Sequence, residues 1–140
     1  MARAEATEFA GVIQFENSAV KQNIARFGDT SSVAVITYRS LADSLKSLTD
    51  YLGGNADICS QWSRSLDIDL SDRKVVVSLM LNAAAYMNKR GIVLFSTTNP
   101  ERIVENVRSV AECSCSSHKL ELFMNLAGGK PKGQSAAAPA

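Results

Sequence analysis

The chain has 140 residues, 46% of them apolar and 21% charged, with a formal net charge of +1. That length fits one domain able to bury a core without staples, and so small a charge gives no field to steer the protein toward nucleic acid or an acidic membrane. Three cysteines, Cys59, Cys113 and Cys115, are too few and too poorly spaced for a disulfide framework. The opening MARAEATEF mixes charges into the start and has no signal-peptide pattern. The expected setting is therefore reducing and cytoplasmic. The longest nearly uncharged run, 75 to 88, falls short of the roughly 20 residues that cross a bilayer, so no membrane span is expected.

In chain order, residues 4 to 27 place Phe9, Val12, Ile13, Val20, Ile24 and Phe27 at helical spacing, with Gly28 as the stop. One long or two short helices are predicted there. Tyr38, Leu41, Ala42, Leu45, Leu48 and Leu52 then form a stripe opposite Arg39, Asp43, Lys46 and Asp50, closed by Gly53 and Gly54. A short helix at 56–65 carries Ile58, Cys59 and Trp62, the only tryptophan. The most informative segment is SDRKVVVSLMLNAAAYMNKRG, 71 to 91, in which Ser71 and Asp72 suit a helix start and Lys89, Arg90 and Gly91 a helix end. Between Val75 and Met87 only Ser78 and Asn82 are polar, so every face of this helix needs cover.

After IVLFSTT, the triplet Asn99-Pro100-Glu101 combines a capping side chain, proline at the first helical position and an early acid. The helix it starts has Ile103, Val104, Val107, Val110 and Ala111 as its expected inner face. HKLELFMNLA, 118 to 127, is the last helix, and KPKGQSAAAPA has nothing to bury. The expected fold is an all-α bundle of five to seven helices around a central helix at 71–90. It forms one helical domain over 1–128, followed by a disordered tail over 129–140. A rival reading takes VAVIT (33–37), KVVVSLM (74–80) and GIVLF (91–95) as strands of a small α/β domain, since each is a β-branched run followed by a helical pattern. The alanines at 83, 84 and 85, continuing straight from VVVSLML, favour an uninterrupted helix for the second of these.

Chemistry is sparse. Cys113-x-Cys115-x-x-His118 gathers the sole histidine with two thiols, and Cys59 would complete a Cys3His zinc set. One intervening residue between the cysteines points their side chains apart, and a serine-rich turn with incidental thiols accounts for the same residues. Asp67, Asp69 and Asp72 resemble no calcium loop, lacking its glycine and distant glutamate; they suit solvent and a helix start. Gly53-Gly54 is followed by NADICS, without the lysine and hydroxyl of a phosphate loop. Arg26, Arg39, Arg64, Arg73, Arg90, Arg102 and Arg108 are scattered and mostly have acids nearby, and Trp62 beside Arg64 reads as packing.

No catalytic set and no cofactor site is therefore expected. The leading expectation is a non-enzymatic module for protein association, self-association included. A nucleic-acid-coating assembly subunit is the alternative, which needs distant arginines to line one groove. A small α/β enzyme is the third reading, with a strand at 92–95 and polar groups converging near Ser96, Thr97 and Thr98.

Overall fold

The computed structural model describes residues 11–129. Strand β1 (Val12–Glu16) leads through a 3-10 turn (Asn23–Arg26) to β2 (Ala34–Tyr38), after which come α1 (Ala42–Gly54), α2 (Ala56–Leu66) and α3 (Arg73–Met87). The chain then forms the short strand β3 (Ile92–Val93), α4 (Pro100–Ala111) and α5 (Ser117–Gly129). The fold is mixed α/β, with five helices and a three-stranded parallel sheet among the described residues. This corrects the all-α bundle, and the small α/β alternative fits.

The helical reading of residues 4 to 27 fails because VIQFE pairs residue for residue with AVITY, from Val12 opposite Ala34 to Glu16 opposite Tyr38. Helical spacing of Val12, Ile13 and Val20 was local; the strand partner 22 residues on decides the state. Residues 4–10 lie outside the described residues, as do residues 130–140 of the expected tail; Gly129 itself ends α5. Of the three β-branched runs, 33–37 and 91–95 supply β2 and β3, whereas KVVVSLM is helical within a 15-residue α3. Its start is held by Asp72, whose carboxylate accepts from the Lys74 amide at 2.8 Å. Ser71, the expected cap, donates instead to Asp69.

The strand order is β1-β2-β3, so both parallel crossovers step in the same direction. Right-handed crossovers that do so lie on one face of a sheet. Burial agrees: Val35 and Thr37 are buried and Ile13, Phe15 and Val93 half-buried, all on the helix side. On the other face Val12, Gln14, Ala34 and Ile92 are exposed, Glu16, Ile36 and Tyr38 are half-buried, and none is buried. Asn88, just past α3, ties the helix to the sheet by donating to the carbonyls of Val35 and Ile92 and to the Thr37 hydroxyl, at 3.2 to 3.3 Å. Gly91 was expected as a left-handed helix stop. Its actual need for glycine is close approach, since a Cβ there would stand 2.2 Å from the Val35 carbonyl oxygen.

The core lies on the covered side around α3, whose Val76, Leu79, Met80 and Ala83 are buried together with Leu48 and Leu52 of α1, Leu66 of α2 and Phe123 of α5. Trp62 of α2 is buried against Tyr51 of α1, ring centroids 6.0 Å apart, so it packs rather than faces a ligand. Among the described residues no helix is long and apolar enough to cross a membrane.

Candidate functional site

Parallel strands deliver their carboxyl ends to one edge, the usual ligand edge of an α/β sheet, although the crevice there forms where strand order reverses. Order β1-β2-β3 has no reversal. What stands at this edge is a knot of small polar groups. Asn17, leaving β1, donates its amide to the Tyr38 carbonyl at 3.0 Å, and its side-chain oxygen accepts from the Ile24 amide at 3.0 Å. The hydroxyls of Ser18 and Ser44 bond each other at 2.9 Å, joining the β1 exit to α1, and Ser18 Oγ accepts from the Lys21 amide at 3.1 Å.

Outside these, Glu16 accepts from Lys21 Nζ at 2.7 Å and lies 3.8 Å from Arg39 Nε, while Arg39 donates to Asp43 at 3.2 Å. The lysine hydrogen bond holds the Glu16 carboxyl below the ordinary glutamate range. Arg39 and Ala42 both have positive φ, 55° and 33°, and Leu41 caps α1 without a side-chain bond. Between them Ser40 is fully buried, and its hydroxyl has no hydrogen-bond partner among the described residues. Two charges of each sign pair off here and the serine pair is engaged with itself, so this edge ties β1, β2 and α1 together.

The thiols and histidine sit elsewhere. Cys59 lies in α2, Cys113 and Cys115 in the turn between α4 and α5, and His118 in the first turn of α5. All three cysteines are free, and Cys113 Sγ accepts from the Cys115 amide at 3.2 Å. Burial first of all pushes the Cys115 thiol above its ordinary value, which favours the protonated form over the thiolate a metal needs. Among the described residues no group of three or more His, Cys, Asp or Glu side chains comes together to hold a metal ion. The aspartates have local partners: Asp69 accepts from the Ser71 amide and hydroxyl, Asp72 caps α3, and Asp67 pairs with Lys119 at 3.6 Å. Thr97 Oγ1 accepts from the Asn99 amide, so the serine and threonine segment after β3 serves the start of α4. The seven arginines among the described residues are distributed over the 3-10 turn, α2, α3, α4 and the segments beside β2 and β3. A hollow of about 350 Å³ beside Thr49, Leu52, Cys59, Leu70 and Arg73 holds one thiol and one guanidinium and no carboxylate.

The surface that departs from ordinary packing is α4. It starts as expected, with the Asn99 side chain accepting from the Glu101 amide at 2.9 Å and Pro100 at the first position. Its expected inner face is turned out: Ile103 is 45% exposed, Val104 55%, Val107 55% and Val110 37%, and no residue of the helix is buried. The seat is polar instead. Asn82 of α3 donates to the Ser109 carbonyl at 3.1 Å, and the Ser109 hydroxyl donates to Ser78 at 2.6 Å. Ser78 and Asn82 are the two polar interruptions of α3, so those positions hold α4 by its Ser109 side and leave the aliphatic stripe free. The sequence reading missed this because amphipathic spacing shows that a stripe exists and not where its cover comes from. The signal available was that Ser78 and Asn82 stand four apart on one face of an otherwise apolar helix.

Comparison with protein families, with curated proteins and with solved structures gives no match.

Proposed function

We propose that this α/β domain works by binding protein, its own copies included, and that the stripe Ile103, Val104, Val107 and Val110 on α4 is the contact. The observation that carries this is the inverted helix: α4 is held by hydrogen bonds from Ser78 and Asn82 while four β-branched side chains face water. Contiguous exposed aliphatic surface of this kind marks an interaction site, whereas single exposed apolar residues need no explanation. Two further features support association over catalysis and over nucleic-acid coating. At the strand ends, the hydroxyls of Ser18 and Ser44 bond each other, and Lys21 and Arg39 are each paired with a carboxylate. The described arginines are spread over several elements, with only Arg102 and Arg108 sharing a helix. Three free thiols support a reducing compartment, the cytoplasm.

Light scattering after size-exclusion chromatography over a range of concentrations, with and without RNA, tests the reading. The wild-type mass is expected to rise above one chain with concentration and to ignore RNA, while Val107→Asp stays folded at the mass of one chain. A wild type that remains a single chain at high micromolar concentration, or that gains mass only with RNA, overturns self-association.

A further inference from the structure

The sheet has the complementary defect. Parallel sheets occur almost only with both faces covered, and here one face carries Val12 at 63% exposure and Ile92 at 56%. Leu94, two residues beyond Ile92, is 45% exposed, Ile36 and Tyr38 between β1 and β3 are half-buried, and the polar members of the face are Gln14, exposed, and Glu16, half-buried and paired with Lys21 at the strand end. Among the described residues, then, one sheet face has no helix on it and one helix stripe has no sheet against it. We propose that the two belong together across copies: α4 of one molecule lies on the open face of the sheet of another. This rests on the association reading and names its second surface.

The dimensions agree. Twelve residues of α4 give a cylinder ~18 Å long and ~10 Å across. The five-residue strands β1 and β2 run ~17 Å, the two-residue β3 extends the face at one side only over ~7 Å, and three strands place the outer two ~10 Å apart. One helix laid along the strands thus covers the face. Its branched side chains are of the kind that parallel-sheet surfaces accept, and they meet Val12, Ile36 and Ile92, which are of the same type.

Pairing α4 with α4 of a second copy covers the stripes and leaves both sheets bare. Pairing α4 with the sheet satisfies both surfaces at once. The covering helix comes from another copy because the molecule's own α4 is anchored to α3 through Ser109. The contact joins two different patches, so it extends head to tail into rings or chains unless a two-fold arrangement closes it at two molecules.

Complementation reads this directly. Val107→Asp damages the helix side and Ile92→Asp the sheet side, both at positions more than half exposed, with Val12→Asp as a second sheet variant should Ile92→Asp disturb the short β3. Circular dichroism and melting matched to wild type establish that each variant is folded. Each alone is expected to run as a single chain, and a one-to-one mixture of a helix variant with a sheet variant is expected to form a species of two chains through its one intact contact. Sheet variants that keep the wild-type mass mean that α4 pairs with something other than the sheet, and overturn the inference while leaving association standing. A mixture that stays at one chain overturns it as well. A wild type that never exceeds one chain removes the association reading itself.

Discussion

Helices α3 and α4 stand against each other and use opposite logics. Beyond its first turn the first is apolar around nearly its whole circumference and is buried against α1, α5 and the core; the two polar residues interrupting that apolar body, Ser78 and Asn82, are spent on α4. The second has the cleaner division into polar and aliphatic sides, yet offers its polar side to the molecule and its aliphatic side to water. The difference teaches that a stripe reports a need for cover and is silent on who supplies it. Where the cover is the chain's own core, a lesion unfolds the protein; where it is another chain, a lesion changes only the state of association.

That contrast is open to attack at several points, beginning with the strongest. Leu79→Asp places an unpaired carboxylate in the core, a cost of about 3–5 kcal/mol against a total stability of about 5–15. Val104→Asp, on α4, is expected to lie within about 0.5 kcal/mol of wild type when both are measured as single chains. Urea unfolding followed by circular dichroism compares them, and equal losses would erase the distinction between the two helices. Gly91→Ala comes next, because the new methyl meets the Val35 carbonyl and the Asn88 side chain at 2.2 and 2.3 Å. Overpacking of this kind costs about 1–3 kcal/mol, and an unchanged urea midpoint would show that the α3 to β3 link is looser than described.

A smaller effect is expected at the joint between the helices. Asn82→Ala removes the donor to the Ser78 and Ser109 carbonyls, worth about 0.5–1.5 kcal/mol. Its diagnostic is location, with amide exchange quickening in residues 100–111 more than in α1. The smallest effect is electrostatic. Glu16 has its pKa lowered chiefly by the Lys21 hydrogen bond. Its stabilising share is therefore complete above the unfolded glutamate value and fades as pH falls through the depressed folded one. A surface pair of this kind contributes about 0.2–1 kcal/mol. The gap between wild type and Glu16→Gln is expected at about pH 7 and should close near about pH 3; a gap that grows in acid would reverse the assignment.

Much of the helical part was legible, and for physical reasons. Residues 56–65 and 118–127 read correctly because spacing and stops agree, and α4 began where Asn99, Pro100 and Glu101 said it would. In α3, length and alanine content outweighed its β-branched start. The sheet was harder. VIQFE and the turns after it match a helical period as well as a strand, and only the pairing with AVITY, set by chain closure over some twenty residues, distinguishes them. Tyr38 was read into the stripe of α1, yet it ends β2, because the positive φ at Arg39 and Ala42 breaks the segment there. The strand-end knot was invisible for a related reason. Ser18 and Ser44 carry no motif and meet only after the chain has folded β1 back beside β2 and the start of α1.

The most direct measurement is amide hydrogen exchange of the wild-type protein at low and at high concentration, read segment by segment. If α4 is covered by a second copy, exchange in residues 100–111 slows as concentration rises, and residues 12–16 and 92–94 of the open sheet face slow with it, while 73–87 in α3 stays unchanged. Rising mass accompanied by no change in 100–111, with protection appearing on another surface, would contradict the role given to α4.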